Sequence, residues 1–306
     1  MASFKWSEPC TCFDGGRTMT KFHKILFPVD FSERSHAAAP FVLDMALRYK
    51  ASVALLHAVH PPPPMYGGMN TIYPEAFDFT EIRTVMLGDL EKFAAAEFPR
   101  VEVSCAVDLG DAACIIKDYV TQHGIDLIAM PTHGYGMFRR ALLGSVTAKV
   151  LHDSKIPVWT SAHAPEQSHR AHPQPRRILA CVDLKPSCRW TLEVAVQMAR
   201  DTGAKVTAVH ALAEGVVVPE MADNQLQEML LEAARAELAA MQLGAGTDVE
   251  AVVQVETPAR LIRAVALEKR ADLIVIGRES ERGFLGALRA NANAIIREAP
   301  CPVLSL

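Results

Sequence analysis

Short apolar runs alternate with longer amphipathic stretches along nearly the whole chain. Unbroken apolar runs of this length indicate strands that are covered on both faces, as in a parallel sheet. In the first half they predict strands at 24–30, 52–59, 101–107, 125–130 and 157–161. In the second half they predict strands at 177–183, 205–211, 248–254, 271–276 and 302–306.

The amphipathic stretches between these runs predict helices. The plainest case is the second helix of the second half, where apolar residues recur at helical spacing and predict a stripe that faces the core. These residues are Leu226, Met229, Leu230, Ala233, Ala234 and Leu238. A regular alternation of strands and helices predicts an α/β fold, a doubly wound sheet with right-handed crossovers.

The pattern occurs twice. The segment "KILFPVDFSERSHAAAPFVLDMALRYKASVALLHAVH" (24–60) aligns with "RILACVDLKPSCRWTLEVAVQMARDTGAKVTAVHALA" (177–213). "IDLIAMPTHG" (125–134) likewise aligns with "ADLIVIGRES" (271–280). Two repeated domains, each with a doubly wound five-stranded parallel sheet, are therefore predicted. Their expected bounds, with a flexible N-terminal extension before them and a linker rich in Pro, His and polar residues between them, are 1–20, 21–161, 162–175 and 176–306.

Composition narrows the function classes. The chain has 306 residues, of which 50% are hydrophobic, so two domains with real cores are expected. The formal net charge of −4 implies no broad basic surface, which disfavours a nucleic-acid partner. No apolar run is long enough to cross a bilayer, and the first residues lack the apolar core of a secretory signal. The protein is therefore expected in the cytoplasm, with no membrane partner.

Two groups of residues offer weak metal patterns. Cys10 and Cys12 could bind a metal or respond to oxidation, or they could be incidental thiols of a mobile tail. His163, His169 and His172 lie in the predicted linker at spacings of six and three, which is a weak signal. No metal ligand and no catalytic residue is predicted from them.

Three segments carry candidate chemistry at the predicted carboxyl ends of strands, where ligands bind in open α/β sheets. Asp30 ends the first strand, Ala58 lies at the end of the second, and the loop from Met130 to Val146 follows the fourth. A carboxylate at a strand end can accept hydrogen bonds from ribose hydroxyls or a base amine. The alternative role for Asp30 is to cap the next helix, which Ser32 could do equally well.

The loop has features of a phosphate site. Gly134 and Gly144 would let backbone amides approach an anion closely, and Ser145 offers a hydroxyl. A helix that begins at Ser145 would point its free amides and the positive end of its dipole at the same place. A turn followed by a Ser-capped helix would explain the same residues, so that alternative stays open.

The order of these segments resembles a known family. "FPVDFSERSHAAA", "LLHAV", "PTHGYGMFRRALLGSV" and a closing "IPV" follow one another within one half. This is similar to the universal stress protein family, and two copies in one chain resemble its tandem members. The resemblance covers nearly the whole chain, 21–161 and 176–306. It implies the adenine nucleotide alpha hydrolase-like fold and, for members with the full signature Gly-x2-Gly-x9-Gly-(Ser/Thr), ATP as the ligand.

Carried over by position, the last three elements of that signature match Gly134, Gly144 and Ser145, and the first glycine matches Pro131. Proline fixes φ and has no N–H, so ATP binding should suffer if the glycine served through positive φ or its amide. If the glycine served only by being small, a proline can be accommodated with a modest loss. A modified but working site is predicted. His133 could add a donor to the triphosphate, as could the arginines at 139 and 140. The resemblance implies that the residues which contact ATP are Pro28, Val29, Asp30, Ala58, Met130, Pro131, His133, Gly134, Gly144, Ser145 and Val146.

The second half departs further from the signature. Asp183 and Gly277 are kept, whereas Ser280, Arg289 and Ala290 stand where the remaining elements should be. The second half is therefore not expected to bind ATP in the family manner, and one ATP per chain is predicted.

The resemblance implies a cytoplasmic stress-response protein that binds ATP, with or without Mg²⁺, and interacts with an unknown protein partner. A slow ATPase and a scaffold or small-ligand-binding stress protein are the alternatives.

The last strand of each half, "PVWTS" and "PVLSL", is a short apolar edge that invites pairing with another strand. An intramolecular pseudo-dimer through these strands is predicted, with a homodimer as the other arrangement.

Overall fold

Ten strands form one sheet that runs through both halves of the chain. The structure is a computed structural model that describes residues 22–60, 65–67, 70–72, 79–132, 143–161, 174–185, 189–212, 224–278 and 287–306. The strands of the first half are β1 (Lys24–Pro28), β2 (Ser52–Val59), β3 (Met65–Gly67), β4 (Asn70–Ile72), β5 (Val103–Leu109), β6 (Leu127–Met130) and β7 (Val158–Thr160). Those of the second half are β8 (Arg177–Cys181), β9 (Lys205–Leu212), β10 (Glu250–Val255), β11 (Leu273–Ile276) and β12 (Val303–Ser305).

Eight helices cover this sheet in the described part of the chain. The first half contributes α1 (Glu33–Tyr49), α2 (Phe79–Glu97), α3 (Ala112–His123) and α4 (Ser145–Asp153). The second half contributes α5 (Arg189–Thr202), α6 (Asn224–Gly244), α7 (Pro258–Glu268) and α8 (Ala287–Glu298). All ten predicted strands are confirmed, each within two residues at either end. The antiparallel pair β3–β4 was not predicted, because each strand has only three residues and the pair lies between prolines, with two glycines in its sequence.

The strand order creates a switch point in each half. The order is β10-β9-β8-β11-β12-β7-β6-β1-β2-β5, so β1 lies between β2 and β6, and β8 lies between β9 and β11. These neighbours are parallel. The chain therefore winds first to one side of β1 and then to the other, which confirms the doubly wound α/β fold and opens a crevice at the carboxyl ends of β1 and β6.

Side chains of each strand alternate between two cores. Ile25 and Phe27 pack on the face covered by α1, α2, α5 and α6, whereas Leu26 packs on the face covered by α3, α4, α7 and α8. Each core contains residues of both halves. The molecule is therefore a three-layered sandwich whose two halves share both hydrophobic layers.

The predicted stripe of α6 is partly wrong. Ala234 and Leu238 are buried, but Leu226 and Met229 are 39% and 66% exposed, and Ala233 is exposed as well. The buried face continues instead through two other residues that pack on the core, Leu231 and Met241. Each residue turns a helix by about 100°. Leu226, Met229 and Ala233 each stand one position before the face that contains Leu238, so they point away from the sheet.

The two halves of the sheet join through their last strands. β7 pairs antiparallel with β12, with Val303 opposite Thr160, Leu304 opposite Trp159 and Ser305 opposite Val158. The hydroxyl of Thr160 also donates to the carbonyl of Val303 at 3.3 Å. The predicted pairing of the two final strands is confirmed, and neither strand is left as an open edge.

Some predictions lie outside the described residues. They include the N-terminal extension at 1–20, most of the linker, and the possible metal ligands Cys10, Cys12, His163, His169 and His172. The domain bounds stay predictions.

Trp159 anchors the junction between the halves and offers a test of it. The side chain is 4% exposed and its ring lies 5.7 Å from that of Phe41. Trp159→Ala is expected to lower the free energy of unfolding by about 3–5 kcal/mol, because it leaves a large cavity beside the β7–β12 pair. Leu243→Ala, at a residue 83% exposed, should change it by less than about 0.5 kcal/mol. Urea denaturation followed by circular dichroism measures both, and equal small effects would contradict the central role of this junction.

Candidate functional site

The turn after β1 holds the carboxylate of Asp30 in one orientation. Its Oδ1 accepts hydrogen bonds from the Ser32 hydroxyl at 2.6 Å, the Ser35 hydroxyl at 2.6 Å and the Ser32 N–H at 3.1 Å. Ser32 is the N-cap of α1 and its hydroxyl accepts from the Ser35 N–H. The helix cap is therefore Ser32, and Asp30 supports that cap from the strand end.

A left-handed residue makes this geometry possible. Phe31 has φ of 58°, a conformation that costs a non-glycine residue roughly 1–2 kcal/mol. The ring of Phe31 packs 4.8 Å from that of His57 on β2 and 6.4 Å from that of Phe93 on α2. These contacts hold Phe31 in the turn and bend the chain back, so that Asp30 meets the hydroxyls of α1.

His57 ties β2 to the end of β1. Its Nδ1 lies 2.7 Å from the carbonyl oxygen of Val29, and because that partner only accepts, Nδ1 must carry the proton and donate. The N–H of Val29 donates in turn to the carbonyl of Leu56 at 2.9 Å. The Val29-Asp30 peptide is thus fixed from the neighbouring strand.

The other predicted residues of the strand ends lie at the same edge of the sheet. Pro28 ends β1, Ala58 is the penultimate residue of β2, and Met130 ends β6 and is buried. Since β1 is hydrogen-bonded to both β2 and β6, the three strand ends are immediate neighbours. The structure therefore brings Pro28, Val29, Asp30, Ala58, Met130 and Pro131 to one crevice.

The start of α4 lies across this crevice and is anchored to the end of β6. The Gly144 N–H donates to the carbonyl of Thr132 at 2.9 Å, and the Thr147 hydroxyl donates to the carbonyl of Pro131 at 3.1 Å. The N-cap is Gly144, no side chain caps the helix, and Ser145 is its exposed first residue. A Ser-capped helix, the alternative interpretation, is therefore wrong.

The first turn of α4 can receive an anion. The first intrahelical bond runs from the Ala148 N–H to the Gly144 carbonyl. The N–H groups of Ser145, Val146 and Thr147 precede it and have no partner within the helix. These amides and the positive end of the helix dipole point out of the helix start, as in phosphate sites.

Pro131 is compatible with this arrangement. It is buried, and the bonds that close the loop onto α4 use the carbonyls of Pro131 and Thr132. Proline retains its carbonyl and loses only the N–H. The substitution therefore leaves the anchoring of α4 intact. His133 and Gly134, with the arginines at 139 and 140, lie outside the described residues.

The second half builds its strand ends differently. His210 keeps the bond to the carbonyl before the aspartate, here Val182, at 2.9 Å. Asp183, however, forms an ion pair with Lys185 at 3.1 Å, where the first half has Ser32. Helix α8 begins at Ala287, so Arg289 and Ala290 lie inside it rather than at its start. Ser280 lies outside the described residues.

An ion pair joins α4 to α3 beside the site. Asp111 is the N-cap of α3 and accepts from the N–H groups of Ala113 and Cys114. Its carboxylate also accepts from Lys149 on α4 at 3.0 Å. The bond from Lys149, the backbone bond from Cys114 and the positive charge of Lys149 lower the pKa of Asp111 to about 2.

Two kinds of feature are absent from the described part of the chain. No three His, Cys, Asp or Glu side chains come together there as metal ligands. No helix among those residues combines the length and the apolar character needed to cross a membrane.

Comparison with known families agrees with this fold and repeat. A model described as the universal stress protein family matches residues 21–161 and again residues 175–306. The chain belongs to the universal stress protein family. It carries two copies of the family's domain, so it is a tandem member, as the repeat in the sequence indicated.

Relatives of similar length share the tandem organisation. Universal stress protein Mb2028c of Mycobacterium bovis is 25% identical over 297 residues, which cover 93% of this chain and 97% of that protein. Among solved structures, a universal stress protein from Archaeoglobus fulgidus has a TM-score of 0.61 at 23% identity and covers 94% of this chain and 96% of its own. A functionally unknown protein, PA1789 from Pseudomonas aeruginosa, has a TM-score of 0.65 at 19% identity, with 94% and 93% covered.

Sequence reasoning missed several residues of this universal stress protein's site. Ser35 and Phe31 fix Asp30, and Thr132 and Thr147 anchor α4. Ser32 and Ser35 lie three residues apart in the quoted "FPVDFSERSHAAA", a spacing that indicated only a helix cap. Comparison of the two halves could have pointed to these serines, because the second half has Lys185 in place of Ser32 and Cys188 in place of Ser35.

The Asp111–Lys149 pair predicts a defined pH dependence. The pKa of Asp111 is lower in the folded protein than the usual value near 4. The stabilisation is therefore complete above that usual value, and it is lost as pH falls from about 4 to about 2. Asp111→Asn keeps a helix cap but removes the charge, so the difference in unfolding free energy from the wild type should shrink to zero over that window.

Urea denaturation at several pH values measures this difference. Asp118→Asn, at an exposed residue of the same helix, serves as the matched control and should give a small difference throughout. A difference for Asp111→Asn that stays constant between pH 6 and pH 2 would contradict the assignment.

Proposed function

We propose that the first half binds ATP in the crevice between the carboxyl ends of β1 and β6, and that the chain acts as an ATP-binding regulator in a cytoplasmic stress response. The observation that carries the proposal is the juxtaposition of two features at one switch point. A carboxylate fixed by two serine hydroxyls, Asp30, lies on one side. An uncapped helix start, that of α4, lies on the other.

Each feature suits one end of the nucleotide. Asp30 can accept hydrogen bonds from the ribose hydroxyls or the adenine amine, and the backbone at Ala58 can read the base edge. The amides of Ser145 and Val146 can donate to phosphate oxygens. In the second half the carboxylate is paired with Lys185 and the helix starts elsewhere, which supports one ATP per chain.

Binding is favoured over turnover. Phosphoryl transfer needs a metal-holding carboxylate, a placed nucleophile and a clamp on the developing charge. Among the described residues, the acidic side chain at the crevice is Asp30, and its Oδ1 is engaged by serines. When Mg²⁺ accompanies the nucleotide, phosphate oxygens and water would hold it. A protein partner would then bind differently to the ATP-bound and the ATP-free protein.

A small-ligand role is the second candidate, and one observation favours it. A cavity of about 290 Å³ lies between α3 and α4. Ile116, Ile128 and Val150 line it with apolar surface, and Lys117 and Lys155 also contribute. Native mass spectrometry of the intact chain separates the candidates, because ATP, another small molecule or nothing would be found with the protein.

Asp30→Asn tests the carboxylate without removing its structural role. The amide oxygen can stay with the two serine hydroxyls, and an NH₂ group then replaces the other carboxylate oxygen and cannot accept from the ligand. Loss of a hydrogen bond to a charged group should weaken ATP binding by about tenfold to a hundredfold. Isothermal titration calorimetry gives the affinity, and the wild type should show a stoichiometry near one.

Asp183→Asn is the matched control in the second half, and it should leave ATP affinity within about twofold of the wild-type value. Equal losses for the two variants would show that the first half is not the site. Unchanged affinity for a folded Asp30→Asn protein would remove the carboxylate from it.

Pro131→Gly tests the altered first position of the signature. The carbonyl that accepts from Thr147 is retained, and the new N–H adds a donor near the phosphates. ATP affinity is therefore expected to stay equal or to increase. A clear loss, with the fold intact by circular dichroism, would mean that the fixed φ of the proline itself shapes the site.

A further inference from the structure

One arginine of the second half reaches into the first half. Arg278 follows β11 by two residues, and its guanidinium donates to the carbonyls of Leu151 at 2.9 Å, Ser154 at 3.3 Å and Ile156 at 2.5 Å. Its own N–H donates to the carbonyl of Leu306 at 2.9 Å. We call the three side-chain bonds the Arg278 contact.

The carbonyls of this contact belong to the end of α4. Leu151 lies in the last turn, Ser154 is the C-cap, and Ile156 is in the connection to β7. The last carbonyls of a helix have no partner within it and carry the negative end of its dipole. A guanidinium satisfies several of them at once, because its donors lie in a fixed planar fork.

The positive charge of Arg278 is matched by these carbonyl dipoles. Across the described ranges, no carboxylate lies within ion-pair distance of it, and its Nε is buried without a hydrogen-bond partner. Burial lowers the pKa of the guanidinium to about 10, so it stays charged at neutral pH. A buried cation of this kind costs free energy unless its partners keep their place, which ties its position to that of α4.

The Arg278 contact has no counterpart at the aligned position of the first half. By the alignment of the halves, Arg278 corresponds to Thr132, and the end of α4 corresponds to the end of α8. Threonine has no side chain long enough or charged enough to hold the end of α8 in the same way. The second half therefore holds a helix of the first half through Arg278, and Thr132 cannot make the equivalent contact in return.

Helix α4 connects this contact to the candidate ATP site. It has nine residues, which at 1.5 Å each span roughly 13 Å. Its start is anchored by the carbonyls of Pro131 and Thr132, and its end by Arg278. A short rigid helix fixed at both ends keeps its free amides at a defined distance from Asp30.

We propose that Arg278 is a positioning residue of the first-half site: it acts across the junction of the halves, through the end of α4, and sets the place of the phosphate-facing amides at the start of that helix. The inference rests on the proposed ATP binding for its functional readout. It also gives the altered loop of the second half a role, because the residue after Gly277 supports the neighbouring half.

The test compares Arg278→Met and Arg278→Lys with Arg297→Met in the intact chain. Methionine keeps a long apolar side chain without donors, and lysine keeps the charge but lacks the fork. Arg297 is on α8 beside Glu298, at 3.5 Å, and serves as the control arginine. Amide hydrogen exchange is measured over α4, α3 and α8, and ATP affinity is measured by calorimetry.

Arg278→Met is expected to raise exchange in the last turn of α4 by about tenfold or more, with α8 unchanged, and to weaken ATP binding by about three- to tenfold. Arg278→Lys should show smaller effects of the same kind, and Arg297→Met none. Because the lysine variant retains the charge, it keeps the test valid if the methionine variant fails to fold.

Three results would overturn the proposal. They are unchanged exchange in α4, an equal rise in α3, α4 and α8, and loosening of α4 with unaltered ATP affinity. If the wild-type chain binds no ATP at all, the proposed function fails, and the contrast between α4 and α8 still decides whether Arg278 holds α4.

Discussion

The antiparallel pairing of β7 with β12 sets the orientation of everything else in the molecule. The strands of each half are parallel, so this single antiparallel step reverses the direction of the second half within a continuous sheet. The helices equivalent between the halves still cover the same face, which is why each hydrophobic layer is shared. The carboxyl ends of β1 and β8, however, point to opposite edges. The two switch points therefore cannot share one ligand. Whether either of them binds a ligand depends on its own residues.

The same constraint explains why the halves touch where they do. Reversal places the carboxyl end of β11 beside the connection from α4 to β7, so the guanidinium of Arg278 meets the end of a helix. The aligned residues of the first half, Pro131 and Thr132, begin the loop of the candidate site. In the second half, Arg278 donates to the last carbonyls of α4. The buried Thr160 and Ser305 also lie at this junction. The end of β11 therefore has a structural role at the junction of the halves.

Much of the fold was predictable because it follows from local patterns. Buried parallel strands are unbroken apolar runs. The alignment of the two halves showed the same succession of runs twice, so all ten strands were located. The stripe of α6 was misplaced because six apolar residues do not fit one face, and only packing shows that Met229 points to solvent. At the site, Asp30 and Gly144 were recognisable by position. The left-handed Phe31 and the reach of Arg278 were not, since each depends on side chains brought together by tertiary structure.

The two halves separate what the fold needs from what a ligand needs. Both keep the histidine bond to the carbonyl before the aspartate, from His57 and His210, so this bond belongs to the architecture of the strand end. They differ in what surrounds the aspartate. Serine hydroxyls donate to the carboxylate of Asp30, whereas the ammonium group of Lys185 forms an ion pair with that of Asp183. Lysine thus brings a positive charge to a position where the first half has a neutral hydroxyl. The divergence of the second half is thus electrostatic as well as steric, and restoring glycines alone would not restore its site.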